Sequence, residues 1–190
     1  MIPDESTAQD LTPEAPLVQD GIGRPDELER LWTPYRMAYI RGEHKPEDDS
    51  TEACPFCRIP SGDDAAGLIV HRGERCFVVL NLYPYAPGHV MVCPYRHVPH
   101  YVDTTVEEAA EMASLTKAAI GALQRVSDPA GFNIGMNQGA AGGAGIAAHL
   151  HQHVVPRWVG DQNFMPIIGR TKTLPQLLGD TRDLLAAAWA

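Results

Sequence analysis

Three histidines alternate along a short apolar run, His149-Leu150-His151-Gln152-His153-Val154-Val155-Pro156. The interleaved Leu and Val residues have a period of two, which predicts a β-strand. Successive side chains on a strand point to opposite faces, so the three imidazoles share one face at roughly 7 Å spacing. Just upstream lies Gln138-Gly139-Ala140-Ala141-Gly142-Gly143-Ala144-Gly145, a stretch rich in unhindered backbone N–H groups. A single histidine on a strand is usually a half-buried side chain. Three on one face waste core volume and repel one another once protonated. Two kinds of chemistry suit such a row. One is metal ligation, because a His-x-His strand pair can hold zinc. The other is an imidazole nucleophile flanked by helpers, acting on a phosphate cradled by the glycine loop.

A second cluster is Cys54-Pro55-Phe56-Cys57, with the C-x-x-C spacing of a zinc knuckle. The same pattern also fits two reduced, partly buried thiols.

The elements that must position these residues follow from patterning. Gly67–Arg72 and Arg75–Leu82 read as strands joined by a tight hairpin at Arg72-Gly73-Glu74. Tyr83-Pro84-Tyr85-Ala86-Pro87-Gly88 is a proline-rich turn leading to a third strand, His89–Cys93, which Pro94 stops. Thr105-Val106-Glu107-Glu108 has the form of a capping box. Met112, Leu115, Ala119, Leu123 and Val126 then recur at helical spacing, which predicts the main helix over Ala109–Val126. Phe132–Asn137 alternates as a fourth strand, the histidine run supplies the fifth, and Thr173–Ala188 reads as a closing helix. Strand runs joined by hairpins, with a central and a C-terminal helix, make an α+β fold around an antiparallel sheet.

Composition bounds the function. The chain has 190 residues, 44% of them hydrophobic, enough for one domain with an ordinary core. The net charge of −9 is concentrated at the front: residues 1–53 carry 13 acids and 5 Lys/Arg, and residues 54–190 carry 11 and 10. Residues 1–25 read as a disordered acidic leader, and residues 26–190 as a single domain. Trp32–Ile40 is an aromatic segment suited to packing on the domain or on another subunit. There is no basic face for nucleic acid, no apolar run of membrane-spanning length, and no signal-peptide pattern at Met1-Ile2-Pro3-Asp4-Glu5. A cytoplasmic protein is expected, whose four cysteines need no disulfides.

The triad His149-Leu150-His151-Gln152-His153-Val154-Val155 resembles the histidine-triad (HIT) motif of nucleotide hydrolases and transferases. The likeness extends over about residues 54–158. It includes Asn81 before Tyr83-Pro84-Tyr85-Ala86-Pro87-Gly88-His89, Gly131-Phe132-Asn133-Ile134-Gly135, and Pro156-Arg157. Leu31-Trp32-Thr33-Pro34, Cys54-Pro55-Phe56-Cys57 and the tail from Asn163-Phe164 to Pro175-Gln176-Leu177-Leu178 are similar to the bacterial branch of diadenosine tetraphosphate phosphorylases. The resemblance implies a HIT-like sheet and a nucleotidyl transfer in which His151 attacks the α-phosphate. His149 and His153 assist it, Asn137, Gly143 and Gly145 line the phosphate pocket, and Asn81 bonds the ribose. It also implies that a zinc bound by Cys54 and Cys57 is completed by His97 and His149. On this reading zinc is structural and catalysis needs no cofactor.

Relatives often carry a hydroxyl or glutamine just before the triad, where this chain has Gly143-Ala144-Gly145-Ile146-Ala147-Ala148, so backbone N–H groups or a distant side chain must substitute. Arg157, Arg170 and Lys172 are candidates to hold an incoming inorganic phosphate. Three functions stay open on the sequence: a phosphorylase, a dinucleoside polyphosphate hydrolase or phosphoramidase of the same family, and a nucleotide-binding module without turnover. Family members are commonly dimers, so a homodimer or higher homo-oligomer is expected.

Overall fold

A computed structural model describes residues 50–139, 141–161 and 176–189. The leader over residues 1–25, the Trp32–Ile40 segment, Arg170 and Lys172 lie outside them. The described elements are α1 (Pro55–Arg58), β1 (Ile69–Arg72), β2 (Cys76–Leu80), β3 (Val90–Pro94), α2 (Val106–Ser127), β4 (Gly131–Met136), β5 (Gln152–Arg157) and α3 (Leu178–Ala187). The five strands form one antiparallel sheet in the order β1-β2-β3-β5-β4. This is the α+β architecture expected from the sequence.

Both faces of the central strands are covered, so β2 and β3 are buried along their whole length and read as continuous apolar runs. On one face, Cys76, Val78, Leu80, Val90, Val92 and Val154 pack against Met112, Leu115, Ala119, Ala122 and Leu123 of α2. The side chains of Phe77, Met112, Leu123 and Leu150 are almost wholly withdrawn from water. Each such burial is worth about 1.5–3 kcal/mol. On the other face, Phe77, Val79, Met91 and Cys93 pack with Cys54, Phe56 and Ile69. The short α1, carrying the two cysteines, therefore sits across the sheet from α2.

The capping box forms as its sequence suggests. Glu108 N–H donates to Thr105 Oγ1 at 3.1 Å, and Thr105 N–H donates to Glu108 Oε2 at 2.8 Å. The helix thus begins at Val106, three residues before the expected start, and ends at Asp128 in a left-handed conformation (φ 42°). Arg96 donates to both carboxylate oxygens of Glu108, at 2.9 and 2.7 Å, which ties the turn after β3 to the start of α2. Arg72 donates to Asp64 and to the carbonyls of Pro60 and Gly62, holding the segment after α1 on β1.

Other boundaries also differ from those expected of the sequence. The ladder of β5 begins at Gln152 rather than at His149, because Leu150 N–H donates to Val98 O at 2.7 Å and draws the chain off the sheet line. The described part of the closing helix starts at Leu178, with Leu177 as its extended N-cap; residues 173–175 of the expected start lie outside the described set. Among the described residues no helix is long and apolar enough to cross a membrane.

Candidate functional site

The alternation of the histidine run survives its irregular start. Leu150 and Val154 join the α2-side core and Gln152 donates to Thr116 Oγ1 of α2 at 2.6 Å, so the even positions face the helix. His149 and His151 lie against Phe56 of α1, with ring centroids 5.5 and 5.0 Å away, and His153 is paired across the sheet with Met91 of the α1-side cluster. The three imidazoles thus occupy the face that carries α1, and all are buried.

The hydrogen-bond partners fix what each ring presents. His151 Nδ1 lies 2.8 Å from the carbonyl oxygen of His149. A carbonyl only accepts, so Nδ1 carries the proton and Nε2 keeps a lone pair when the ring is neutral. Burial lowers the His151 pKa, partly offset by that hydrogen bond. The ring is therefore neutral at pH 7 with an available nucleophilic nitrogen.

His149 is differently committed. Its Nε2 donates to Pro94 O at 2.9 Å, leaving the Nδ1 lone pair 3.4 Å from the Sγ atoms of both Cys54 and Cys57. His97 Nδ1 approaches Cys57 Sγ at 3.2 Å. The four ligand atoms of Cys54, Cys57, His97 and His149 all lie within 4.8 Å of one another. Tetrahedral zinc with ordinary Zn–S and Zn–N bonds spaces such donors about 3.4–3.8 Å apart, so this set fits a metal ion. The Pro94 carbonyl holds the His149 ring in the orientation ligation requires. Burial and the neighbouring Cys54 push the Cys57 thiol up to about 12. A divalent cation between the thiols supplies the charge that favours thiolates instead. One nitrogen of His149 thus faces this cluster and the other bonds the Pro94 carbonyl.

His153 belongs to a further pair that the sequence reading left without a role. His89 Nε2 and His153 Nδ1 are 2.9 Å apart. His89 Nδ1 accepts from Tyr85 N–H at 3.0 Å and faces Asn81 Nδ2 at 3.4 Å. His89 therefore carries its proton on Nε2 and donates it to His153 Nδ1. Neutral His153 then bears its own proton on Nε2, as a hydrogen-bond donor. Parity along the third strand could have found His89, since positions 89, 91 and 93 share a face and Met91 and Cys93 pack on the α1 side.

Burial, followed by the charge of His151, pushes the His153 pKa down to about 4. A histidine unfolded at about 6.5 and folded near 4 takes up protons in the unfolded state first. Stability is therefore constant above pH 6.5 and falls as pH drops from about 6.5 towards 4, with a slope of at most about 1.4 kcal/mol per pH unit from this ring. Denaturant titrations between pH 4.5 and 7.5 should show a shallower slope in His153→Gln than in the parent; equal slopes would contradict the assignment.

Asn81 Oδ1 accepts from Tyr83 N–H at 2.9 Å, so its side chain braces the turn that carries His89. The glycine loop lies between β4 and β5. Gly139 and Gly143 adopt positive φ (66° and 78°), and a Cβ on Gly142 would come within 2.4 Å of Gln138 O, so the loop's path needs glycine there. Asn137, Gly143 and Gly145 all lie on this connection. Arg157 stands at the far end of β5. It lies six residues beyond His151, roughly 20 Å along the strand, and its guanidinium bonds Asp161 and Asn133 Oδ1. The fold does not bring it to the histidines of its own chain.

The HIT domain model matches residues 64–159. The sequence is 48% identical over 190 aligned residues to AP-4-A phosphorylase of Mycobacterium tuberculosis, covering 98% of this chain and 97% of that protein. It is 29% identical to a bis(5'-nucleosyl)-tetraphosphatase (asymmetrical) of Schizosaccharomyces pombe, covering 56% of each chain. Among solved structures, a Zn-bound histidine triad family protein from Mycobacterium smegmatis superposes with a TM-score of 0.58 at 28% identity, covering 73% of this chain and 94% of that one.

Proposed function

Because this chain belongs to the histidine triad (HIT) family, we propose that it is a diadenosine tetraphosphate phosphorylase, a nucleotidyltransferase that uses inorganic phosphate to release ATP and ADP. The full-length likeness to the M. tuberculosis AP-4-A phosphorylase supports the substrate and the acceptor. The observation that carries the chemistry is the uncommitted Nε2 lone pair of a neutral, buried His151.

In the first half-reaction His151 Nε2 attacks the α-phosphorus. A P–N bond forms, the P–O bond to the rest of the chain breaks, and ATP leaves with its bonding electrons. In the second, a phosphate oxygen attacks the same phosphorus, the P–N bond breaks, and AMP is carried away as ADP. Each half is one in-line displacement that needs alignment and charge stabilisation more than proton traffic. His153 Nε2–H donates a hydrogen bond to the reacting phosphate. Backbone N–H groups of the loop through Gly143 and Gly145, with Asn137, surround the phosphate oxygens. Asn81 serves the ribose.

Cys54, Cys57, His97 and His149 would hold a zinc ion in a structural role, joining α1, the turn after β3 and the approach to β5. His149 is a ligand and a support rather than a group that touches substrate, since its carbonyl oxygen anchors the nucleophilic ring. The assembly is a homo-oligomer. Edge strand β4, with half-exposed Ile134, offers a surface for a second copy. The four cysteines, none of them in a disulfide, suit a cytoplasmic location.

The test is product analysis with diadenosine tetraphosphate. ATP and ADP should appear in equal amounts, and only when inorganic phosphate is present. ATP and AMP formed without phosphate would replace this reading with a hydrolase, and binding without turnover would leave a nucleotide-binding module.

A further inference from the structure

We infer that Tyr85 is a positioning residue that sets, through His89, which nitrogen of His153 carries the proton facing the substrate phosphate. The inference rests on the function proposed above for the site.

Two separate contacts from Tyr85 converge on the same pair of rings. Its backbone N–H donates to His89 Nδ1 at 3.0 Å. Its phenol ring lies over both imidazoles, with centroids 4.7 Å from His89 at 34° and 5.6 Å from His153 at 35°. His89 is fully buried, whereas Tyr85 is 42% exposed. The tyrosine therefore stands between the imidazole pair and solvent, at the end of the turn that Asn81 braces.

The consequence for chemistry is directional. With His89 Nδ1 occupied by a donor, His89 must offer Nε2–H to His153 Nδ1. His153 can then present only N–H at Nε2. If the chain of bonds ran the other way, a lone pair on His153 Nε2 would face phosphate oxygens and repel them. A neutral ring oriented this way stabilises the anionic transition state without a proton leaving it. The phenol ring, tilted over both imidazoles, covers the pair and keeps it dry enough to hold one tautomer.

The experiment pairs kinetics with 15N spectra of histidine-labelled protein. Wild-type His153 should show the Nε2–H pattern. Tyr85→Ala and the bulkier Tyr85→Leu keep the backbone N–H but admit water to the pair, and should show averaged tautomers at His89 and His153, with His151 unchanged. For diadenosine tetraphosphate, kcat should fall at least about tenfold while KM stays within about threefold, and Tyr85→Phe should restore both kcat and the spectrum. Wild-type spectra in the alanine and leucine variants, or a phenylalanine variant as impaired as alanine, would overturn the inference. The spectra are read without turnover, so absence of phosphorylase activity would sink the proposed function and leave this claim separately tested.

Discussion

Replacing His151 with alanine is expected to lower phosphate-dependent turnover of diadenosine tetraphosphate by at least about 10⁴-fold, the scale on which loss of a covalent nucleophile registers. The melting temperature should stay within about 5 °C of the parent. The ring is buried against Phe56 and donates to the His149 carbonyl, so its removal leaves a small cavity but no orphaned buried charge. Substrate affinity should change little, because the loop amides and Asn81 remain. The effect should be larger than that of His153→Gln, which removes a donor to the phosphate but not the attacking atom. Turnover in His151→Ala within tenfold of the parent would remove His151 as nucleophile.

The second large effect concerns the metal. Protein purified without chelators should carry about one zinc per chain, and His97→Ala or Cys57→Ala should carry almost none. The loss should cost ~3 kcal/mol or more, or ~10 °C in Tm for a chain of this size. The reason is topological: Cys54 caps α1 and Cys57 lies on it, His97 follows β3, and His149 precedes β5, so one ion at this cluster would tie together three segments far apart in sequence. Activity should fall as well, although none of these four side chains is placed against substrate. Without the ion the His149 ring loses its ligand bond at Nδ1 and keeps the one to Pro94, and the carbonyl that fixes His151 Nδ1–H loosens with it. Zinc content near zero in the parent, with unchanged Tm after chelation, would retire the site.

How far the residues announced these results depends on range. Period-two alternation placed His149, His151 and His153 on one face, and the capping box at Thr105 and Glu108 fixed the start of α2; both signals are local and physical. The C-x-x-C spacing alone left thiols or metal open, since it takes folding to carry His97 and His149 to it. His89 was legible in parity but not in role, because its partners come from Tyr85 on a turn and His153 on another strand. Arg157 is the opposite case. A basic residue after the triad is an attractive phosphate ligand in one dimension, but strand rise carries it away, and Asp161, four residues on, takes its guanidinium. The early departure of His149 from the ladder was equally hidden, since the Val98 carbonyl that draws Leu150 aside lies across the fold.

The most direct measurement is to stop turnover of diadenosine tetraphosphate in alkali, before phosphate is added, and to map adenylate on the digested protein by mass spectrometry. One adenylate per chain on His151, lost on adding phosphate with matching release of ADP, is the expected result. ATP released in amounts equal to the enzyme with no adduct, or an adduct on another residue, would contradict the central claim that this imidazole becomes bonded to phosphorus.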